Sequence, residues 1–321
     1  MATRKAVTAK SLKIATFNVN GITSRLPHLL SWLEKEAPDI VCLQELKSVD
    51  AGFPIAEIHN AGYGALWHGQ RSWNGVAILT KDADPIEIRR ALPGDRADDQ
   101  SRYLEAAAHG ILVGCLYLPN GNPQPGPKFD YKLKWFDRLL RHAQELFDCG
   151  HPVALAGDYN VVPTDFDIYN PASWRKNALL QPESRERYER LLAQGWVDAL
   201  RETHPDERIY TFWDYFRQHW PRDAGLRIDH ILFNAELAPR LRETGVDRWV
   251  RDLPKASDHA PTWARLASAR RSGAGKVAKK TAARKTAPRG KNLTGEPAVD
   301  FGIGHRVLGQ RSGQAVGQEA L

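Results

Sequence analysis

The segment that most constrains this chain is the apolar run from His151 to Asn160, with the sequence His-Pro-Val-Ala-Leu-Ala-Gly-Asp-Tyr-Asn. A run of this length, bounded by proline and glycine, is typical of a strand buried on both faces. Because side chains two apart on an extended segment point the same way, we expect the Asp158 carboxylate and the Asn160 amide to face one shared point. The segment therefore predicts a core strand with polar chemistry at its end.

Other apolar runs repeat this pattern. Leu12 to Phe17 is a predicted strand that precedes Asn18, and Asp39 to Leu43 is one that precedes Glu45. Further strands are predicted at 63–68, 75–80, 102–108, 111–118, 208–213, 226–233, 246–250 and 260–266, and helices at 25–36, 54–60, 128–147, in the second half of 170–190 and in a segment that ends at 195–198. The four consecutive strands within 63–118 predict antiparallel neighbours. Together these elements favour an α/β domain over 11–267, with two sheets packed face to face and helices outside.

Charge divides the chain into unequal parts. The formal net charge is +7, yet residues 268–321 hold eleven Lys or Arg against Glu296, Asp300 and Glu319, which leaves residues 1–267 almost neutral. Residues 1–10 form a short basic N-terminal arm. The tail, 268–321, is too poor in large apolar residues to offset its ordering entropy, so we predict a disordered segment. It is either a solvated extension or a basic arm that contacts nucleic-acid phosphates, and the sequence leaves both open.

The cysteines and the N-terminus bear on the compartment. Cys42, Cys115 and Cys149 lie far apart and form no metal-binding spacing, which favours buried thiols in a reducing environment. No secretory signal is visible at the N-terminus, and no stretch reaches the roughly 20 apolar residues that cross a bilayer. We therefore expect a cytoplasmic protein without a membrane partner.

Polar residues at predicted strand ends carry the functional signal. Singly, each has an ordinary explanation: Asn18 begins a turn, Glu45 is a surface charge, and Asp229 is half of an ion pair with Arg227. Their repetition favours function, because strand ends of a sandwich gather on one rim. The full series is Asn18 and Asn20, Glu45, Asp158 and Asn160, Asp229, and Ser257-Asp258-His259.

Such a rim suits the hydrolysis of a phosphate ester. Mg²⁺ prefers carboxylate oxygen and needs few protein ligands, a demand that Glu45 meets with help from Asn18 or Asp258. A carboxylate such as Asp229 could hold the His259 ring in one tautomer. Asp158 and Asn160 could position a water molecule. A metal, an oriented water and a polarising histidine together describe metal-assisted hydrolysis.

At this point the sequence resembles a known family. Its motifs are Asn18-Val-Asn-Gly21, Leu43-Gln-Glu-Leu-Lys47, Trp73-Asn-Gly-Val-Ala77, Leu116-Tyr-Leu-Pro-Asn-Gly121, Gly157-Asp-Tyr-Asn160, Tyr210-Thr-Phe-Trp-Asp-Tyr215, Leu226-Arg-Ile-Asp229 and Ser257-Asp-His-Ala-Pro261. In this order they look like the motif set of the exonuclease III type of apurinic/apyrimidinic endonucleases, within the endonuclease/exonuclease/phosphatase superfamily. The likeness covers residues 11–267 and implies a four-layer α/β sandwich with two packed mixed β-sheets flanked by helices.

The resemblance also implies roles for matching residues. Glu45 would be the principal metal ligand, with Asn18 in support and Asp258 near a second metal position. Tyr117 and Asn160 would contact the scissile phosphate, and His259 would polarise it with Asp229 behind. Asp158 would activate the attacking water or protonate the leaving group. The implied cofactor is Mg²⁺, with Mn²⁺ as a substitute.

An apolar pocket for a base-less sugar is implied at Phe212, Leu226 and Ile228, with Asn120 among the DNA-contacting residues. Leu226 stands where other members carry tryptophan. A pocket of this kind selects by shape, and a missing base lowers the cost of flipping the nucleotide out. Trp213 and Trp220 could also line it, although tryptophans are more often core residues. The basic residues Arg71, Arg102, Lys128, Arg175 and Lys176 could follow the DNA backbone.

The sequence thus predicts a Mg²⁺-dependent DNA repair hydrolase, acting as a monomer on duplex DNA. It would cleave 5′ to abasic sites and remove nucleotides or blocking groups from 3′ ends. Two alternatives stay open: a phosphodiesterase or phosphatase of the same superfamily that acts on another phosphate ester, and a nucleic-acid-binding protein that has lost catalysis. The basic tail and the Tyr210–Trp213 motif favour DNA.

Overall fold

Twelve strands form two six-stranded sheets in residues 11–268, the part of the chain that this computed structural model describes. The strands are β1 (Leu12–Asn18), β2 (Ile40–Gln44), β3 (Tyr63–His68), β4 (Val76–Lys81), β5 (Ile86–Arg90), β6 (Tyr103–Ala108), β7 (Ile111–Tyr117), β8 (Val153–Asp158), β9 (Val197–Asp198), β10 (Asp229–Phe233), β11 (Leu241–Val246) and β12 (Thr262–Leu266). The first sheet has the order β11-β12-β1-β2-β4-β3 and the second β5-β6-β7-β8-β10-β9.

Each sheet has one parallel pair at its centre. β1 lies parallel to β2, and β7 lies parallel to β8, while the other neighbours are antiparallel. A parallel pair needs a crossover, and helices supply both: α1 (Ile22–Glu36) joins β1 to β2, and α3 (Pro127–Phe147) joins β7 to β8. The remaining helices are α2 (Ile55–Asn60), α4 (Pro171–Trp174), α5 (Pro182–Ala193) and α6 (Ala199–Thr203).

Alternation along the strands builds the layers. In β2, Ile40 and Cys42 belong to the core between the sheets, whereas Val41 and Leu43 pack in the cluster under α1. The stripe of α3, which includes Trp135, covers the outer face of the second sheet. Each large apolar side chain buried in this way contributes about 1.5–3 kcal/mol. The result is the predicted four-layer α/β sandwich.

Several predicted elements are confirmed with small shifts at their ends, including α1, α3 and the central strands. The four strands predicted within 63–118 do pair antiparallel, but they divide between the two sheets. Two strand predictions are wrong. Residues 208–213 make isolated bridges, because Phe212 pairs only with Leu226 and His259. The strand predicted at 246–250 lies earlier, at β11, and Arg248–Asp252 is a 3₁₀ helix.

Two further differences concern termini and short elements. The segment at 195–198 contains the short strand β9 rather than a helix end, and β5 has no counterpart among the predicted strands. The N-terminal arm at 1–10 and residues 269–321 of the predicted tail lie outside the described residues. Within 11–268, no helix is long and apolar enough to cross a membrane.

A buried ion cluster holds the segment that leads into β10. The Arg227 side chain is 2% exposed, and its Nε donates to Asp167 Oδ1 at 2.7 Å. Its Nη1 donates to Asp198 Oδ2 at 2.6 Å. Burial opposes charge on both acids, but Arg227 outweighs burial and lowers the pKa of Asp167 and of Asp198. The cluster therefore fixes the backbone just before Asp229.

We predict that Arg227→Met lowers the free energy of unfolding by about 3–5 kcal/mol, because it leaves the buried Asp198 carboxylate without its guanidinium and Asp167 with Arg201 alone. Urea denaturation at pH 7 measures the change. Arg248→Met is the control, since Arg248 forms an exposed pair with Asp223 at 2.8 Å, worth about 0–1 kcal/mol. Both acids have lowered pKa values, so their contribution is present above the ordinary carboxyl pKa of about 4 and is lost as pH falls below it. Equal losses in the two variants would contradict this role.

Candidate active site

Six strands meet at one rim of the sandwich. β1, β2, β7 and β8 end there, whereas β10 begins there because it runs antiparallel to β8, and the segment before β12 arrives in the same way beside β1. The registers place Asp158 directly opposite Asp229 on one side and Tyr117 on the other. The predicted strand-end residues are thus brought together from distant parts of the chain.

Glu45 is the central residue among those that the first sheet brings to the rim. It follows β2 with a positive φ of 53°, so the chain turns sharply there. Its Oε1 accepts from Asn18 Nδ2 at 3.0 Å and from Tyr117 Oη at 2.7 Å, and Lys47 Nζ lies 3.0 Å from Oε2. Burial opposes the charge, but Lys47 and the two hydrogen bonds outweigh it and lower the pKa of Glu45. Glu45 is therefore an anion in the neutral range.

Asn18 connects the two sheets at this rim. Its Nδ2 donates to Glu45 Oε1 and also to Asp158 Oδ2, each at 3.0 Å. Its Oδ1 accepts from the Asn20 backbone N–H at 3.0 Å. In this arrangement the Asn18 amide holds two carboxylates in place, and its oxygen accepts one hydrogen bond in a local turn.

His259 lies between two carboxylates. Its Nδ1–H donates to Asp229 Oδ2 at 2.8 Å, and its Nε2 lies 3.8 Å from Asp158 Oδ2. Burial opposes the imidazolium, but Asp229 and the neighbouring acids outweigh it and raise the pKa of His259 to about 10. The ring is therefore protonated at neutral pH, with Nε2–H facing the rim.

At Asp158 the surroundings favour the neutral form of the side chain, whereas at His259 they favour the charged form. Burial is the largest cause, and although His259 acts against it, the carboxylates of Asp229 and Glu45 add to burial and raise the pKa of Asp158 to about 7. A carboxyl group with such a pKa can exchange a proton near neutral pH. Perturbed groups of this kind cluster at functional sites.

Asp258 closes the rim through a polar network. Its Oδ1 accepts from Asn20 Nδ2 at 2.9 Å, and Lys47 Nζ donates to Asn20 Oδ1 at 2.5 Å. Tyr215 Oη accepts from Asn20 Nδ2 at 3.2 Å. Burial and the nearby Glu45 raise the pKa of Asp258, in spite of His259. Acids thus outnumber cations at the rim.

The donor chemistry at the rim fits a hard divalent cation. Asp158, Asp229 and His259 have potential ligand atoms within 4.8 Å of one another, but His259 Nδ1 is already hydrogen-bonded to Asp229 Oδ2 at 2.8 Å. Glu45 and Asp258 fit better, since both are carboxylates and hard cations take oxygen ligands. The Lys47 ammonium beside Glu45 shows that this carboxylate already attracts a positive charge. Asp229 Oδ1 is also buried without a hydrogen-bond partner within 11–268.

Asn160 and Asn120 form a second polar group beside the acids. Asn120 Nδ2 donates to Asn160 Oδ1 at 3.0 Å, and Asn160 Nδ2 donates to the Leu118 carbonyl at 2.9 Å. The extended geometry predicted for residues 158–160 is wrong, because Asn160 has a φ of 48° and its backbone N–H donates to Asp158 Oδ1 at 2.8 Å. The chain turns after β8, so proximity of the two side chains comes from this turn.

The predicted apolar pocket is only partly at the surface. Leu226 is 0% exposed and Ile228 is 2% exposed, within a cluster that includes Val162 and Ile168. Both side chains, which were predicted to line the pocket, pack behind Phe212 in this cluster. Phe212 is half-buried, and its ring meets the His259 ring edge-on at 4.9 Å. Trp213 is fully buried.

A cavity of about 540 Å³ adjoins the rim at Tyr117 and Asn120. Of the predicted basic residues, Arg71, Arg102 and Lys128 line it. Arg175 instead lines a separate depression with Arg185. The cavity offers a positively charged surface beside the acidic rim.

Sequence reasoning missed two lysines of the site. Lys47 contacts Glu45. Both residues belong to the motif Leu43-Gln-Glu-Leu-Lys47, in which only Glu45 was predicted to have a role. Lys132 is completely buried on α3 and donates to the Asn160 carbonyl at 2.6 Å. The spacing of Lys132 in the sequence could have revealed its burial, because it falls on the apolar stripe of the helix with Phe129 and Phe136.

Two packed mixed sheets with a rim of carboxylates, an imidazolium and amides define a hydrolase of phosphate esters. A model of the endonuclease/exonuclease/phosphatase family matches residues 15–259. The chain belongs to that family, and its similarities lie with the exonuclease III type of apurinic/apyrimidinic endonucleases.

Three relatives illustrate the similarity. Exodeoxyribonuclease III of Haemophilus influenzae is 36% identical over 265 residues, which cover 79% of this chain and 99% of that protein. The structure of a 3′ phosphatase from Neisseria bound to a product DNA hairpin is 37% identical with a TM-score of 0.77, covering 79% of this chain and 99% of that one. The structure of an AP endonuclease from Archaeoglobus fulgidus is 38% identical with a TM-score of 0.76 and the same coverage of both chains.

Proposed function

We propose that this protein is a Mg²⁺-dependent DNA repair nuclease that cleaves the phosphodiester 5′ to abasic sites and removes nucleotides or blocking groups from duplex 3′ ends. The observation that carries the proposal is the position of His259 Nε2, 3.8 Å from Asp158 Oδ2, on a rim that also holds Glu45. The relatives support the substrate: they include exodeoxyribonuclease III and a 3′ phosphatase bound to a DNA hairpin.

The phosphate would be bound by donors from both sheets. His259 offers Nε2–H from a ring that Asp229 fixes through Nδ1. Asn160, whose backbone N–H donates to Asp158 Oδ1, would add its amide together with the Asn120 amide that contacts it. Tyr117 remains a phenol because burial and Glu45 raise its pKa, and its O–H, which donates to Glu45 Oε1, would turn to the phosphate. Donors held in fixed positions stabilise the negative charge that develops on the phosphoryl oxygens in the transition state.

Asp158 would handle the proton. In hydrolysis 5′ to the abasic site, a bond forms between the water oxygen and phosphorus, and the bond from phosphorus to the upstream 3′ oxygen breaks. One proton leaves the water, and one reaches the departing oxygen. Asp158, buried and held by Asn18, is the group at the rim whose pKa of about 7 suits either transfer.

Glu45 and Asp258 would hold the metal ion, with Asn18 orienting Glu45. When bound, Mg²⁺ would act as a Lewis acid that neutralises charge on the phosphate. The acids at the rim, which exceed the cations provided by His259 and Lys47, account for the need for such an ion.

Surfaces around the rim suit a DNA duplex. Arg71, Arg102 and Lys128 in the adjoining cavity can pair with backbone phosphates. Two large aromatic side chains flank the site in exposed positions: Trp73 is 71% exposed and Phe216 is 74% exposed. Exposed aromatic faces of this kind can stack on bases. Phe212 offers apolar surface next to His259 for a sugar without its base.

We predict Mg²⁺-dependent cleavage in a panel of labelled duplexes that carry an abasic analogue, a 3′ phosphate or a recessed 3′ end. Gel analysis should show incision 5′ to the abasic analogue, and chelation with EDTA should abolish it until Mg²⁺ is restored. An undamaged closed circular duplex, which has no 3′ end, and a small phosphate monoester serve as controls. Hydrolysis of the monoester without action on any duplex would favour the alternative of a phosphatase with a non-DNA substrate, and unaltered cleavage in EDTA would contradict the metal requirement.

A further inference from the structure

Lys132 is a fully buried lysine beneath the two asparagines of the site. It lies on α3 with 0% exposure. Its Nζ donates to the backbone carbonyl of Asn160 at 2.6 Å and to that of Asn120 at 3.2 Å. Burial of a lysine is costly, so residues of this type are almost never fully buried without partners. Here the partners are two carbonyls that belong to different loops.

The turn at 119–122 is shaped to receive this side chain. Gly121 has a φ of 89°, and a Cβ built there would lie 2.6 Å from Lys132 Cδ. Glycine therefore serves both the left-handed backbone and the close packing of the turn on the lysine stem. The outer side of the turn is tied separately, because Asn122 Nδ2 donates to Asn177 Oδ1 at 3.0 Å.

We propose that Lys132 is a positioning residue, which joins the loops after β7 and β8 so that the Asn120 and Asn160 side chains keep one arrangement against the phosphate. The inference rests on the proposed function. Lys132 itself does not reach the reacting atoms, since its amine ends on the carbonyl side of both residues. Its effect passes through the backbone to two side chains that already contact each other at 3.0 Å.

Lys132 has enough N–H donors for the two backbone carbonyls in either protonation state. Burial is the main cause that lowers the pKa of Lys132 to about 7. A charged ammonium has three N–H groups and a neutral amine has two, so both forms satisfy the two carbonyls. Positioning by Lys132 therefore does not depend on its charge. Without the amine, both carbonyls would lose a hydrogen-bond partner.

The test uses Lys132→Met, which keeps the length and apolar stem but removes the donors. We predict a kcat for the abasic duplex that is about 10 to 100-fold lower, with KM within about threefold, because small displacements of positioned groups cost up to 10²-fold. The matched control is Arg138→Met on the same helix. Arg138 also donates to a backbone carbonyl, Pro93 O at 3.0 Å, and its ion pair is with Asp98 rather than with a residue of the rim. It should lower the melting temperature without lowering kcat.

A double-mutant cycle separates positioning from general structural support. In a background of Asn120→Ala with Asn160→Ala, adding Lys132→Met should change the single-turnover rate by less than about twofold, because the side chains that it positions are gone. A loss equal to that in the wild-type background would overturn the proposal. If Lys132→Met does not fold, Lys132→Gln enters the same cycle. Wild-type cleavage of the duplex is measured alongside: its absence would count against the proposed function, whereas normal cleavage by Lys132→Met would count against this inference alone.

Discussion

Replacement of Asp158 by asparagine is expected to lower kcat on an abasic duplex by about 10³-fold and to leave KM within a few fold. Proton transfer by a positioned side chain contributes 10²–10⁴-fold, and the amide cannot perform it. The variant keeps the size of the side chain, so packing in β8 is preserved. The rim also loses one negative charge, which favours phosphate binding and keeps KM from rising.

The matched control for Asp158→Asn is Asp99→Asn. Asp99 is an exposed acid that lines the cavity beside Tyr117, so its replacement removes a charge from the same region without touching the rim. Burst and steady-state rates should be near those of the wild type. Melting temperatures of both variants establish that they are folded. A kcat for Asp158→Asn within about tenfold of the control would remove Asp158 from the proton transfer.

The pH profile assigns the direction of that transfer. Asp158 has a pKa raised to about 7, while His259, with a pKa raised to about 10, keeps its proton throughout this range. If Asp158 accepts a proton from water, kcat rises with pH through the Asp158 pKa; if it donates to the leaving oxygen, kcat falls there. Bound Mg²⁺ favours the carboxylate, so the midpoint should lie below 7 in saturating metal.

Much of the sandwich could be predicted from the sequence because its central strands are continuous apolar runs. β8 is fully buried on both faces, and its sequence has no polar residue before Asp158 to suggest another structure. The edge strand β5 could not be found in this way: its five residues are all exposed and include two arginines. Pairing with β6, a tertiary contact, determines its conformation.

The wrong strands have a different cause. Residues 208–213 are rich in aromatic side chains, which favours a strand by composition. Their backbone instead bonds to two segments in turn, as when Phe212 N–H donates to Leu226 O and Trp213 N–H donates to Asp258 O. This irregular path is what brings Phe212 beside His259. Local sequence carries no information about such partners, which lie far away in the chain.

In the candidate site, too, the types of residue could be predicted from the sequence, whereas their contacts could not. The types of polar residue at strand ends indicated hydrolysis, and the rim collects them because antiparallel β10 and β12 begin where β1 and β8 end. The direction of individual side chains was not predictable. Asn18 donates to two carboxylates, and Leu226 lies inside the protein. Lys132 was detectable by its position on an apolar stripe, but its partners were not, since they come from two other loops.

These contacts couple the charges of the carboxylates at the rim to one another. Asn18 bridges Glu45 and Asp158, so a change in charge on one carboxylate acts on the other through a shared donor. Glu45 has a lowered pKa and Asp158 a raised one, although burial opposes the charge of both. Lys47, which pairs with Glu45 Oε2, contributes to the difference, and the carboxylates of Asp229 and Glu45 add to burial at Asp158. Two acids in one site thus take separate roles, an anion for the metal and a proton carrier for the reaction.

That division leads to the second large effect, expected for Glu45→Ala. We predict a kcat lower by about 10²–10³-fold at fixed Mg²⁺, with Mn²⁺ restoring only part, because the principal carboxylate ligand and an anchor for Asn18 and Tyr117 are both lost. Changes to residues that merely support a ligand already cost 10–100-fold in metal affinity or activity. Metal binding itself should weaken, which calorimetry or Mn²⁺ electron paramagnetic resonance can measure without substrate.

Glu57→Ala provides the control for Glu45→Ala, since Glu57 is an exposed acid on α2 outside the rim. It should bind Mn²⁺ and cleave DNA as the wild type does. A second comparison uses Lys47→Met, which removes the ammonium that lies 3.0 Å from Glu45 Oε2; without this competing cation, Mn²⁺ should bind at least as tightly as in the wild type. Unchanged Mn²⁺ affinity in Glu45→Ala would place the metal elsewhere, with the group of Asp158 and Asp229 as the next site to test.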